Sequence, residues 1–248
     1  MSQLRGQLVE YLKELRLPVI RECFESEALK AAEESLSYEQ YLLELIEQEC
    51  LTRSNNRTER YLRESHLPLE KNLETFDMKR LSAKERQQVQ ALLGGDFLKA
   101  HGNVLAFGNP GSGKTHLLCA IGQELIRQGW RIYFASASLL VQELLLAKQE
   151  LRLARKLSTL DKFDGVIVDD IGYVQQNQDE MEVLFTFFSE RYERGSVLLT
   201  SNLPFWEKIF KNPLMTVATI DRLVHHSQIV ELNLPSYRME QAKKGGQK

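Results

Sequence analysis

Three features of the chain predict an α/β fold built on a parallel sheet. Apolar runs of strand length alternate with helix-length segments over residues 103–232, the pattern of successive βαβ units. One run, Asn103-Val104-Leu105-Ala106-Phe107, leads directly into the glycine-rich octapeptide Gly108-Asn109-Pro110-Gly111-Ser112-Gly113-Lys114-Thr115, and a helical pattern follows it. Another, Gly165-Val166-Ile167-Val168, ends in two adjacent carboxylates, Asp169 and Asp170. In open α/β sheets, chemistry collects at the carboxyl ends of strands.

Composition narrows the class. The 248 residues are 43% hydrophobic and 27% charged, values of an ordinary globular protein of one or two domains. A net charge of −2 excludes a polycation, so any nucleic-acid surface must be a local patch. Cys23, Cys50 and Cys119 have neither metal-ligand spacing nor a disulfide framework. Each is expected as a small buried hydrophobe in a reducing compartment. No apolar run approaches about 18 residues and no signal-like segment opens the chain, so a cytoplasmic protein is expected.

Residues 1–66 read as helical, with Gly6 and Pro18 as their only breakers. Leu4, Leu8, Tyr11, Leu12 and Leu15 recur at helical spacing, and Pro18 opens a second helix. Ser37 and Gln40 form a capping-box pattern. Behind it, Tyr38, Tyr41, Leu42, Leu45, Ile46 and Glu49 predict an amphipathic helix reaching about Ser65. Charge is uneven here: residues 1–49 carry eleven Glu against five Lys and Arg, whereas residues 50–67 carry four Arg against two Glu. Arg53, Arg57 and Arg60 share one helical face, either as a solvated surface or as a phosphate-contacting stripe. His66-Leu67-Pro68 ends the module. The expected division is therefore a helical domain of residues 1–67 and an α/β domain of residues 68–248.

Within the second domain, strands are expected at Asn103-Phe107, Arg131-Ala135, Gly165-Asp170, Ser196-Asn202 and Gln228-Leu232, making five. Helices are expected from Lys114 to about Gln128, once or twice within 138–160, and over 179–193. Lys148, Arg152, Arg155 and Lys156 make a second basic cluster between the second and third strands. It reads as a DNA-backbone contact or as a solvated face.

The octapeptide fits G-x-x-x-x-G-K-[ST] in the strand–loop–helix setting that the motif needs. Its glycines allow backbone N–H groups to turn inward on a phosphate, and the helix N-terminus adds partial positive charge. Lys114 is expected on the β- and γ-phosphates of ATP and Thr115 on Mg2+. His116, the next residue, is grouped with the nucleotide-binding set. Asp169 would join Thr115 in holding Mg2+, and Asp170 would orient the attacking water. Thr200-Ser201-Asn202 places a polar amide at the end of another strand, within reach of a γ-phosphate.

These pieces occur in order with Leu69-Glu70-Lys71-Asn72-Leu73-Glu74-Thr75-Phe76-Asp77, Val168-Asp169-Asp170-Ile171-Gly172-Tyr173, Asp221-Arg222-Leu223 and Ser236-Tyr237-Arg238. The ordered set resembles the IstB-like ATP-binding proteins, helper ATPases of insertion sequences. These are similar to helicase loaders and replication initiators of the AAA+ superfamily. The resemblance implies an AAA+ P-loop NTPase with a five-stranded parallel sheet flanked by helices, preceded by a small helical domain. It also implies roles: Asn202 as sensor 1, Arg222 as a finger reaching a neighbouring subunit's γ-phosphate, and Arg238 as sensor 2. The expected partners are duplex DNA, further copies of the chain and the element's transposase. The chain departs from the usual AAA+ pattern at Asp170, where Glu is common, and a slow, switch-like ATPase follows.

Two other functions share parts of this signature. A replicative helicase loader would carry the same core motifs and differ in its N-terminal module. A small-molecule kinase would need an Arg-rich lid and an acceptor pocket, which the sequence does not suggest. The adjacent His225 and His226 do not share a helix face, so they are not expected to hold a metal. Trp130 and Trp206 are expected as packing residues.

Overall fold

The computed structural model describes residues 2–173, 178–202 and 213–237. Arg238 and Trp206, both named from the sequence, lie outside the described residues. Two compact units divide between Arg60 and Tyr61.

The first unit contains α1 (Ser2–Glu14), α2 (Pro18–Glu33) and most of α3 (Tyr38–Ser65). Ser37 and Gln40 cap α3 as expected: the Gln40 N–H donates to Ser37 Oγ, and Gln40 Oε1 accepts from the Ser37 N–H at 2.9 Å. Leu12, Ile20 and Leu45 form a small core. Leu17, preceding α2, provides no side-chain cap. The buried carboxylate of Glu49 takes that part instead, accepting the N–H groups of Val19 at 2.9 Å and Ile20 at 3.2 Å. Of the three cysteines only Cys119 is buried; Cys23 is half-buried and Cys50 exposed. The expectation of three buried thiols is thus met at Cys119, only in part at Cys23, and fails at Cys50, which directly follows the inward-facing Glu49 and so turns to solvent on the helix.

The second unit continues through α4 (Ala83–Leu93), α5 (Asp96–Lys99), β1 (Asn103–Gly108), α6 (Lys114–Arg127), β2 (Ile132–Ser136), α7 (Ala137–Gln149), α8 (Leu153–Leu160), β3 (Gly165–Asp169), α9 (Gln178–Arg191), β4 (Ser196–Ser201), α10 (Pro213–Val224) and β5 (Ser227–Leu232). The two helices within 138–160 are separated at Leu151, which has a left-handed φ of 57°. A reciprocal Ser82–Glu85 capping box starts α4, a helix that the apolar pattern alone did not reveal.

All five strands are parallel, in the order β2-β3-β4-β1-β5. Their period-2 alternation sends side chains to two separate cores. Leu105, Val166, Val168, Val197 and Leu199 pack on the face covered by α7, α8 and α9. Val104, Ala106, Ile167, Leu198, Val230 and Leu232 pack on the opposite face with α4 and α6. Each buried Val, Leu or Ile side chain among these contributes roughly 1.5–3 kcal/mol. The strand order fixes the position of the chemistry. Because β4 lies between β1 and β3, the carboxyl ends of β1, β4 and β3 form one row. No helix among the described residues is long and apolar enough to cross a membrane.

Candidate nucleotide site

The loop after β1 folds around positions where only glycine fits. Gly108 has φ of 152°, and a Cβ there would overlap the backbone carbonyl of Leu232 on neighbouring β5. Gly111 has φ of 78°, and a Cβ would overlap Ser236. The Gly111 carbonyl accepts the Tyr237 N–H at 3.0 Å, so residues far along the chain close one side of the loop.

Lys114, the first residue of α6, is 4% exposed. Its ammonium donates to the carbonyls of Gly108 (3.0 Å) and Asn109 (2.9 Å) and to Oδ1 of Asn202 (2.7 Å). Thr115 Oγ1 donates to Asp169 Oδ1 at 2.7 Å, and Thr200 Oγ1 donates to the same oxygen at 2.6 Å. The Asp170 N–H donates back to Thr200 Oγ1 at 2.8 Å. Asp170 itself has a left-handed φ of 57°, and its carboxylate meets the Asn202 amide at 3.5 Å. The ends of β1, β3 and β4 are thereby joined in one polar network. Lys114, Thr115, Asp169, Asp170 and Asn202, chosen from sequence, are brought together.

A cavity of about 250 Å³ opens beside this network. Pro110, Gly111, Ser112, Gly113, Lys114, Thr115, His116, Asp170 and Asn202 line it. Gly108 and Asn109 contribute carbonyls to Lys114. The His116 ring lies against the preceding segment, its Nε2 3.0 Å from Thr75 Oγ1 and 3.0 Å from the Asn72 carbonyl oxygen. Seven lining residues had no assigned chemistry in the sequence, Thr75, Phe76 and Leu234 and also Lys71, Asp77, Arg80 and Tyr237. Arg80 donates to the Pro235 carbonyl at 2.7 Å and lies over the Tyr237 ring, 5.2 Å from its centroid. Leu69–Asp77 was recognisable as a motif piece, but nothing local marks Arg80, because its partners lie about 155 positions away.

Arg222 does not line this cavity. Its guanidinium donates to Ser189 Oγ and stacks on Phe185 at 5.0 Å. The basic residues are largely engaged by acids. Lys148 meets Glu182 at 2.8 Å and Asp179 at 3.6 Å, Lys156 meets Glu143 at 2.7 Å, and Arg152 meets Glu150 at 3.3 Å. Arg155 is exposed. In the first unit, Arg53 pairs with Glu49 at 2.8 Å and donates to the Arg16 carbonyl. Arg57 and Arg60 are exposed.

A five-stranded parallel sheet whose switch-point loop grips a buried lysine, flanked by an aspartate and a polar amide on neighbouring strand ends, defines an AAA+ P-loop ATPase. The sequence profile of the IstB-like ATP binding proteins matches residues 10–245, and the chain belongs to that family. It is 44% identical to an insertion sequence ATP-binding protein of Sinorhizobium fredii over 234 residues, covering 93% of this chain and 78% of the relative. It is 35% identical to the insertion sequence IS21 ATP-binding protein of Pseudomonas aeruginosa over 242 residues, covering 97% and 91%. Among solved structures, AMPPCP-bound DnaA from Aquifex aeolicus superposes with a TM-score of 0.57 at 20% identity. That match covers 74% of this chain and only 56% of the DnaA chain. DnaI superposes at 0.56 and 19% identity, covering 68% and 96%. At these identities the structural likeness establishes the fold. The chain binds ATP and is an ATPase by family.

Proposed function

We propose that this ATPase is a nucleotide-gated, DNA-binding regulator of insertion-sequence transposition. With ATP bound it oligomerises on duplex DNA and recruits and stimulates the element's transposase. The carrying observation is the direct link from Lys114 Nζ to Asn202 and from Asn202 to Asp170. An incoming triphosphate competes for Lys114, and its arrival is therefore felt at the ends of two further strands. The names of the relatives, each an insertion sequence ATP-binding protein, support the biological setting and favour it over the loading of a replicative helicase.

Roles follow from position. Lys114 gives up its carbonyl ligands for the β- and γ-phosphates. Thr115 and Asp169 would hold Mg2+; a hydroxyl and a carboxylate already sharing one hydrogen bond are the hard oxygen donors that this ion prefers. The ion would neutralise phosphate charge. Asp170 orients water, and Asn202 senses the γ-phosphate. Arg222, outside its own chain's cavity, serves a neighbouring copy; the role of Arg238 in its own chain comes from the family resemblance alone. Residues 1–67 make the DNA, partner or oligomer contacts, residues 68–248 form the ATPase, and the protein works in the cytoplasm.

DNA contact through Lys148, Arg152, Arg155 and Lys156, with Arg53, Arg57 and Arg60 as a second surface, requires several carboxylates to be released. The pairs at Lys148, Arg152 and Lys156 are partly or fully exposed and worth only about 0–1 kcal/mol, so phosphates can replace them; Arg53 is held by the buried Glu49 and is given up less readily. Duplex affinity measured against salt, with and without ATP, tests the reading. Steep salt dependence, little sequence preference and a requirement for ATP are expected. Equal affinity without nucleotide would overturn it.

A further inference from the structure

One hydroxyl inside the sheet is bonded to both acids of the site. On β4 the alternation sends Leu198 into the core beneath α6, and on β3 it sends Ile167 there too. Ile167 and Leu198 are register partners, so Asp169 and Thr200 face each other across the strands two residues later. Thr200 is fully buried, where a hydroxyl costs free energy unless it is bonded. This one is used in both directions. It donates to Asp169 Oδ1 at 2.6 Å and accepts the Asp170 N–H at 2.8 Å.

Each bond has its own consequence. Asp169 Oδ1 receives two hydroxyls, from Thr115 and from Thr200. Thr115 lines the nucleotide cavity and Thr200 does not. An arriving nucleotide therefore meets Thr115 directly, while Thr200 keeps its hold on the carboxylate. A carboxylate fastened through one oxygen does not turn freely, so Asp169 keeps one orientation whatever Thr115 is doing. The second bond acts on the backbone. Asp170 has a left-handed φ of 57°, a conformation that non-glycine residues rarely adopt and that surrounding contacts must hold in place. By holding the Asp170 N–H, Thr200 sets the direction in which the chain leaves β3, and with it the position of the Asp170 carboxylate near Asn202.

We infer that Thr200 is a positioning residue for the ATPase reaction: its single hydroxyl orients both the ion-holding Asp169 and the water-orienting Asp170. The inference rests on the roles proposed above for those two acids. Thr200 acts through them and lines no part of the cavity itself.

The test uses the full chain, a fluorescent ATP analogue and phosphate release. Thr200→Val removes the hydroxyl and keeps the branched shape; Thr200→Ser and Thr200→Ala form a second matched pair, with and without the hydroxyl. In EDTA every variant should bind the analogue within about threefold of the parent protein, which also shows that it is folded. In Thr200→Val the Mg2+ concentration giving half of the Mg2+-dependent fluorescence change should rise about tenfold, and kcat should fall about tenfold or more. Thr200→Ser should stay within about threefold of the parent on both readings, and Thr200→Ala should follow Thr200→Val. Should Thr200→Val fail to fold, the Ser and Ala pair decides alone. Parental values in Thr200→Val, or equal values in Thr200→Ser and Thr200→Ala, would overturn the assignment. A change in only one of the two readings would overturn the dual role. Asp169→Asn separates this inference from the reading beneath it. If Asp169→Asn leaves the Mg2+ requirement unchanged, the ion-holding role fails and the inference with it. If Asp169→Asn raises that requirement and Thr200→Val does not, the role of Thr200 alone fails.

Discussion

Lys114 and Arg191 are both cations buried in the second unit, 4% and 2% exposed, and both are held by backbone carbonyls. Arg191 donates to the carbonyls of Leu160, Phe163, Asp164 and Ser196 at 3.0–3.2 Å. These oxygens lie at the end of α8, in the following turn and at the start of β4, so one guanidinium joins three segments. Burial pulls its pKa down to about 10, and it remains charged at neutral pH. Lys114 also takes carbonyls, but from a loop beside an open cavity, and its third acceptor is the Asn202 side chain. Arg191 is an enclosed fastener. Lys114 is a charge whose ligands can be exchanged. Burial alone does not separate a structural cation from a binding one; what adjoins its ligands does.

The largest expected effect belongs to the fastener. Arg191→Ala leaves four carbonyls underserved and a void in a buried site, and should cost about 3–5 kcal/mol of stability. Denaturant unfolding checks it, and a loss below about 1 kcal/mol would make Arg191 dispensable and break the contrast. Lys114→Ala should do the reverse, weakening ATP binding by about 100-fold or more with little change in unfolding midpoint. Nucleotide titration and melting of the same sample separate the two outcomes.

Asp170→Asn refines the exchangeable side. It keeps the size of the side chain and its contact with Asn202 while removing the charge that orients water. ATP affinity should stay within about threefold and turnover fall roughly 10- to 100-fold, as read by phosphate release. Turnover equal to the parent protein would remove Asp170 from the mechanism.

The smallest effect concerns a fixed charge in the first unit. Burial alone would raise the pKa of Glu49, but Arg53 and the N–H groups of Ile20 and Val19 more than offset this and hold it below its ordinary value of 4.5. A depressed carboxylate stabilises the fold above its unfolded pKa, and that contribution is lost as pH falls through the folded value. Glu49→Gln should therefore cost about 1–2 kcal/mol at neutral pH. The difference from the parent should shrink as pH drops below about 4.5. A pH-independent difference would point to packing instead of charge.

Local pattern carried much of the fold. The five strands, the Ser37–Gln40 cap and the position of α6 were legible because alternation, capping residues and the glycine-rich loop act over a few neighbouring positions. Helix α4 was not, since its signal is a capping box at Ser82 and Glu85 rather than a strong apolar rhythm. In the site, Lys114, Thr115, Asp169, Asp170 and Asn202 could be nominated because each follows a recognisable strand. Lys71, Asp77, Arg80 and Tyr237 could not be given roles, since pocket lining depends on how separate segments fold back on the loop.

By itself the sequence determined that a phosphate-binding loop exists and which strand ends carry its partners, because these depend on local backbone requirements and on the order of elements. Tertiary structure decided which of those groups touch. Lys114 meets Asn202 across 88 positions, because β4 inserts between β1 and β3. Lys148 acquired Asp179 and Glu182 of α9, and Lys156 acquired Glu143 of α7, through packing of separate helices, whereas Arg53 and Glu49 are neighbours within a single helix. Proximity of charges distant in sequence is a property of the packed chain, and no periodicity within a single segment encodes it.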